Sequence, residues 1–134
     1  MTSLNGHLTV ALAHQKAGRR AALDLARERP SILHNLAVIV ATQSRHADAL
    51  VLLDRALAGE PGYASAHYNR GVALEKLGQP REAISALSRA VAIEPGLADA
   101  HRALGFLFLA EGNRDRALGH FARTYELRRG EDRD

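Results

Sequence analysis

Apolar residues recur along this chain at helical spacing, and the pattern itself repeats every 34 residues. Small or apolar residues stand at equivalent places in three successive blocks, and the alignment needs no gap. The equivalent positions are Ala37, Gly71 and Gly105; Ser44, Gly78 and Gly112; Ala49, Ala83 and Ala117; Leu53, Leu87 and Phe121; and Ala56, Ala90 and Thr124. Fixed internal periods of roughly 20 to 50 residues are typical of stacked repeat proteins. The period therefore predicts three copies of one structural unit.

Each block has the pattern of two helices with a short break between them. In the middle block, we predict the first helix over residues 63–77 and the second over residues 80–93. Gly78 separates them, because glycine tolerates the left-handed backbone found at helix ends. Pro80 begins the second helix, where its missing N–H costs nothing. Pro95 ends that helix, because proline cannot continue a helix from within.

This pattern resembles the tetratricopeptide repeat family, whose motif places aromatic residues, Leu-Gly, Ala, Phe and a closing Pro at fixed offsets. The third block carries the motif as His101-x-x-Leu104-Gly105-x-x-Phe108 with Ala117-x-x-x-Phe121. Histidine stands where a large aromatic residue is usual, Arg70 stands in place of leucine, and Arg129 in place of the closing proline. The resemblance covers residues 30–131. It implies an all-α fold, a right-handed α-solenoid of helix-turn-helix repeats.

The resemblance also divides the chain. We expect a degenerate N-terminal helical hairpin in residues 1–29 as a cap, because terminal repeats face water and are atypical. Three repeats then follow, in residues 30–63, 64–97 and 98–131, with a polar tail in residues 132–134.

The end of the third block is expected to differ from the other two. We predict its second helix over residues 114–128, followed by a frayed polar C-terminus. An apolar stripe near Leu118 and Phe121 would stay partly open, either as a mild defect or as a self-association surface.

Composition narrows the class of protein. A chain of 134 residues fits one domain, and the absence of cysteine excludes disulfide scaffolds, thiolate zinc sites and cysteine nucleophiles. No apolar run is long enough to cross a membrane, and the first residues lack the pattern of a signal peptide, so we expect a cytoplasmic protein.

The net charge is +3, and only Lys16 and Lys76 among the 18 basic residues are lysine. Arginine grips planar anions well, although genomic base composition explains the same bias.

In the resembled family, the first helix of each repeat lines a concave groove that binds peptides. The positions that match this lining are His34, Asn35, Val38, Tyr68, Asn69, Val72, Arg102, Phe106 and Leu109. The resemblance implies that Asn35 and Asn69 hold a peptide backbone, since an amide offers donors and an acceptor. The alternative is that these asparagines bridge to the neighbouring hairpin, because a buried polar group needs a partner.

An apolar row follows the same helices, and it is made of Val38, Val72, Phe106 and Leu109. A solvent-facing apolar row can mark a binding site, and we expect it to take an apolar side chain of a partner. The N-terminal segment or a second copy of the chain would cover the row equally well. Arg102, with Tyr68 and His34 nearby, is expected to fix an acidic or polar residue.

Some members of the family grip the C-terminal carboxylate of heat-shock chaperone tails with lysine and asparagine side chains. Here Asn69 matches that set, but His34, Val38 and Asp99 stand at its other places. Because an aspartate repels a carboxylate, the sequence argues against such a clamp.

Other kinds of chemistry lack their patterns. No phosphate loop, nucleophile elbow or catalytic carboxylate pair occurs, so we expect neither an enzyme nor a cofactor. The seven histidines lack the spacing of a helical zinc site, which argues against a metal. Arginines cluster near the C-terminus, but acidic residues dilute them, which argues against a nucleic-acid partner.

The sequence therefore predicts a non-catalytic interaction module, an adaptor that binds a peptide segment of an unidentified partner protein in the groove. A self-associating structural protein is one alternative. An accessory subunit that delivers a peptide substrate to a separate enzyme is another, and it would use the same groove.

Overall fold

The structure is a computed structural model that describes Gly18 and residues 29–133. The predicted N-terminal hairpin therefore lies almost wholly outside the described residues. The described chain is all-α, as predicted, with helices that pack in sequence order. They are α1 (Pro30–Thr42), α2 (His46–Gly59), α3 (Ala64–Lys76), α4 (Pro80–Ile93), α5 (Ala98–Ala110) and α6 (Arg114–Arg133). None of these helices is long and apolar enough to span a membrane.

The turn inside each hairpin has a left-handed residue at the same repeat position. Gly78 and Gly112 have φ angles of 78° and 83°, as the glycine pattern predicts, and Ser44 takes the same place in the first hairpin with a φ of 61°. Serine pays a steric cost in this conformation that glycine avoids. The turn geometry is therefore a property of the repeat, and only the first hairpin forms it against local preference.

The two helices of a hairpin approach each other at a glycine. A Cβ atom placed on Gly71 would lie 2.6 Å from Cγ of Leu87 and 3.2 Å from the carbonyl oxygen of Ala83. Leu87 is almost fully buried, with 1% of its surface exposed. The small residue at this position is therefore required by the close packing of α3 on α4.

Histidines fasten the loops between repeats. The Nε2–H of His67 donates to the carbonyl oxygen of Pro61 at 2.8 Å, and His101 makes the same bond to Pro95 at 2.9 Å. Each proline lies in the loop just after a helix, so the proline carbonyl oxygen has no partner within that helix. The histidine that replaces the family's aromatic residue thus fills space and satisfies this carbonyl.

The last helix is longer than predicted. The expectation of an end near residue 128 is wrong, because α6 continues to Arg133; the expected fraying of the C-terminus stays a prediction. Pro95 stops α4 at the position where α6 has Arg129, and arginine is a good helix former. Arg128, the last residue of the predicted helix, forms an ion pair with Asp99 on α5 at 2.9 Å just before the added turn.

Candidate peptide-binding groove

The predicted binding residues lie on α1, α3 and α5, the first helices of the three hairpins. Residues one period apart occupy the same turn of equivalent helices, so their side chains leave the helices on the same side. We call this surface the groove face. It comprises His34, Asn35, Val38, Tyr68, Asn69, Val72, Arg102, Phe106 and Leu109.

A hydrogen-bonded group links the first two hairpins on the groove face. Nδ2 of Asn69 donates to Nε2 of His34 at 2.7 Å, and Nδ1 of His34 lies 3.2 Å from the hydroxyl oxygen of Tyr63. A neutral imidazole that carries its proton on Nδ1 satisfies both contacts. The structure therefore places Asn69 in a bridge between hairpins, the alternative that the sequence left open, while the side chain of Asn35 is exposed.

The third hairpin presents the apolar part of the groove face. Phe106 is 55% exposed and Leu109 is 48% exposed, whereas their neighbours Leu104, Leu107 and Phe108 are buried. Residues 104–109 of α5 are apolar all round, yet only one face of this segment meets the core. The exposed apolar residues on its other face lack a covering element among the described residues, which is typical of an interaction surface.

Further along the groove face, α1 and α3 contribute smaller apolar side chains. Val38 is exposed and Val72 is half-buried. The apolar row predicted from the sequence is therefore most accessible at its two ends.

Charged groups surround Tyr68 on the same face. Burial raises the pKa of the Tyr68 hydroxyl, Asp99 and Glu75 raise it further, and Arg102 partly opposes them. The hydroxyl therefore stays protonated at neutral pH and can donate a hydrogen bond. Arg102 is exposed, and Asp99 is already paired with Arg128.

Sequence reasoning missed a cluster between α5 and α6. The rings of His120 and Phe108 are stacked with centroids 5.5 Å apart, and Nδ1 of His120 lies 3.1 Å from Nδ1 of His101. The guanidinium of Arg116 lies over the same Phe108 ring at 5.5 Å. Burial lowers the pKa of His120, as do His101 and Arg116. The one available signal was the histidine at an aromatic position of the motif, and it did not reveal the partner on α6.

Metal chemistry has no site in the described part of the chain, where no three histidine or acidic side chains come together as ligands. His67 and His101, which the sequence singled out, use Nε2 to donate hydrogen bonds to proline carbonyl oxygens. The groove face therefore offers hydrogen bonds, one exposed arginine and apolar surface.

Comparison with known proteins gives two kinds of result. A family model described as tetratricopeptide repeat matches residues 41–105 and 74–130. No match was found among curated proteins.

Solved structures resemble the chain over most of its length. A crystal structure of MamA has a TM-score of 0.75 at 24% identity and covers 81% of this chain. A MamA RS-1 double mutant has a TM-score of 0.75 at 27% identity, with 93% of this chain and 74% of that chain covered. The second TPR of Spaghetti (RPAP3), bound to the HSP90 peptide SRMEEVD, has a TM-score of 0.72 at 17% identity, with 81% and 98% covered. The chain spans only 63% of the length of the first MamA structure.

Proposed function

Because this chain belongs to the tetratricopeptide repeat family, we propose that it is a non-catalytic adaptor that binds a peptide segment of a partner protein on its groove face. The family fold supports a protein–protein interaction module. The exposed apolar pair Phe106 and Leu109 supports the groove face as the binding surface. The pair lies near the exposed Arg102 on the same helix, so apolar and charged contacts are available together.

The ligand chemistry follows from this pair and its polar neighbours. An apolar side chain of the peptide packs on Phe106 and Leu109, which removes their exposed surface from water. Arg102 and the protonated Tyr68 hydroxyl then bind an acidic side chain, because guanidinium and hydroxyl donors both fit a carboxylate. We therefore expect a peptide in which an apolar residue and an acidic residue lie close together.

The asparagines contribute less than the family pattern implies. One amide N–H of Asn69 is used on His34, so Asn69 has one N–H and its carbonyl oxygen left for a peptide. Asn35 has an exposed side chain and provides both donor and acceptor groups. The peptide backbone would thus be held mainly at α1, and its side chains mainly at α5.

The HSP90 peptide of the RPAP3 structure provides a sharp negative test. Asp99 and the occupied His34 stand where a carboxylate would have to be held. We expect SRMEEVD to bind this chain at least about tenfold more weakly than a peptide selected on it, because its C-terminal carboxylate would lie beside the carboxylate of Asp99 and like charges repel. Fluorescence polarisation with the labelled peptide measures this. Equal affinity would contradict the expected exclusion of a C-terminal carboxylate, since the Met-Glu and Val-Asp pairs of SRMEEVD otherwise fit the assigned ligand.

The main experiment is selection of a random peptide library on the purified chain, followed by titration of the enriched peptides. Binding should fall about tenfold or more in a groove variant that combines Arg102→Glu with Leu109→Ser, because central contact residues carry most of the affinity in such interfaces. Both side chains are exposed, so the variant should keep its helical content, which circular dichroism checks.

Val51→Ser is the matched control, since Val51 is 56% exposed on α2 and lies off the groove face. It should bind the selected peptides like the parent chain. Failure to enrich any peptide, or equal binding by the groove variant, would overturn the proposal.

A further inference from the structure

Each hairpin builds an apolar shelf on which the first helix of the next hairpin lies. In the first hairpin, Leu50 and Leu57 pack against core clusters that contain α3 residues. In the second, Ile84 and Val91 occupy the equivalent positions and pack against the cluster that contains Ala100 and Leu104 of α5. In both hairpins, the equivalent surface is therefore covered by the first helix of the following hairpin.

The third hairpin repeats this shelf at its end. We define the end shelf as Leu118, Phe121 and Tyr125, together with Phe106. The first three lie one period after Ile84, Leu87 and Val91, which pack in the cluster that contains α5 residues, and Phe106 contacts Phe121. Leu118 and Tyr125 are both 66% exposed, whereas Ile84 and Val91 are half-buried. Phe121 is half-buried, whereas its equivalents Leu53 and Leu87 are 1% exposed.

The shelf stays apolar although it is open. Phe106 meets Phe121 edge to face at 5.0 Å, so the four side chains form one continuous surface across α5 and α6. Small residues, Gly119 and Ala122, lie beside Leu118 and Tyr125 on the exposed side of α6. They would let another helix approach closely.

The helix that carries most of the end shelf has a net positive charge. Over residues 114–130, α6 carries five arginines and two acidic residues, and among these arginines Arg123 pairs with Glu126 and Arg128 with Asp99 on α5. A symmetric pair of copies would bring these arginines together, because an isologous contact sets the same patch against itself. A covering element with acidic margins matches this charge.

We propose that the end shelf binds an amphipathic α-helix of another protein, with a stripe of alanine and leucine flanked by acidic residues. The two helices that cover the equivalent shelves indicate the form of the partner. Both α3 and α5 have 13 residues, and both bury an alanine completely at the same position, Ala66 and Ala100. A helix in an apolar groove is a common mode of peptide recognition, and this site shares only Phe106 with the groove face.

The test uses a probe taken from the chain itself. A fluorescein-labelled peptide of residues 96–112 carries Phe106→Glu and Leu109→Glu, which makes its outward face acidic and leaves its shelf-contacting stripe unchanged. We expect saturable binding to the full chain by fluorescence polarisation. The shelf variant that combines Leu118→Glu with Tyr125→Glu should weaken binding at least about tenfold, since it places charges in the apolar contact.

Three controls separate the possible results. Val51→Glu changes an equally accessible apolar residue off the shelf and should bind the probe normally. A probe that also carries Leu104→Ser and Leu107→Ser loses its apolar stripe and should not bind. The groove variant described above, with Arg102→Glu and Leu109→Ser, should bind the probe normally, so failure of the groove proposal and failure of this one are distinguishable.

Two outcomes would overturn the proposal. One is the absence of probe binding, or equal binding by the shelf variant and the parent chain. The other is a concentration-dependent dimer in analytical ultracentrifugation that the shelf variant dissociates, since the shelf would then be an interface between copies of this chain.

Discussion

Among the described glycines, the equivalent pair Gly71 and Gly105 leaves the least room for a Cβ atom. A Cβ on Gly105 would lie 2.7 Å from the Phe121 ring, and one on Gly71 would lie 2.6 Å from Leu87. The two sites differ in whether the neighbouring side chain can move away from an added Cβ atom. Leu87 is enclosed by the next hairpin, whereas Phe121 belongs to the half-open end shelf.

Gly71→Ala should lower the free energy of unfolding by about 1–2 kcal/mol, because overpacking against a fixed leucine outweighs the gain of roughly 1 kcal/mol in helix propensity. Gly105→Ala should cost less, because the Phe121 ring can move outward. Urea denaturation followed by circular dichroism measures both. Gly119→Ala is the control, since nothing lies near its Cβ position, and it should stabilise the chain by about 0.5–1 kcal/mol.

The histidine pair between α5 and α6 gives stability a dependence on pH. The pKa of His120 in the folded chain is lowered from its ordinary value of 6.5, by burial first and then by His101 and Arg116. The unfolded chain therefore binds this proton more readily than the folded one. The contribution is present above pH 6.5 and is lost as pH falls through the lowered pKa.

The melting temperature should accordingly fall between pH 7.5 and pH 5, the range in which histidines change charge. In His120→Asn the fall should be smaller, because asparagine keeps a donor toward His101 but does not titrate. Thermal melts across this range test it, with NMR titration of the His120 ring as a direct check. An identical fall in both proteins would show that this pair is not the source.

At the scale of elements, the three hairpins share one turn geometry but differ in the residue that forms it. Ser44 has the left-handed backbone that Gly78 and Gly112 adopt without strain. The backbone hydrogen bond of the turn recurs in all three hairpins, from the N–H of the left-handed residue to the carbonyl oxygen three residues earlier. Because the backbone is the same, the cost of the left-handed conformation depends on which residue adopts it.

Ser44→Gly should raise the free energy of unfolding by about 0.5–1 kcal/mol, since relief of a left-handed serine exceeds the entropy cost of glycine. The reciprocal change, Gly78→Ser, should lower it by about the same amount or more. Chemical denaturation of the two variants and the parent provides the comparison. Changes of the same sign in both variants would contradict the turn argument.

At the scale of the whole molecule, each helix contacts mainly its neighbours in sequence. Stability in such a stack is close to a sum of units and their interfaces. The middle hairpin has a covering hairpin on both sides, whereas α6 packs mainly against α5 among the described helices.

Hydrogen exchange should therefore be slowest in α3 and α4 and fastest in the last turns of α6, because local opening follows the number of packed neighbours. Mass spectrometry of peptic fragments resolves these segments. Equal protection of all the described helices would mean that the stack opens as one unit.

The sequence predicted the fold well because the constraints of the repeat are local. Helix limits follow from Gly78, Pro80 and Pro95, and contact between helices follows from small residues one period apart. The end of α6 was missed because Arg129 removes a stop signal without supplying another. The limits of the five predicted segments remain predictions.

The candidate site was less predictable because its interactions join residues far apart in sequence. The bond from Asn69 to His34 spans two hairpins, and no pattern along one helix reveals it. The exposure of Phe106 and Leu109 likewise depends on which side of the apolar segment 104–109 meets the core.

The gap-free 34-residue spacing also bears on how proteins of this kind can change in length. Every hairpin ends in a surface that accepts the next one, so duplication or loss of a whole period alters the number of turns without creating a new type of junction. Unequal recombination within such a gene would yield folded products of several lengths. The length of the binding surface would then change in fixed steps of one hairpin.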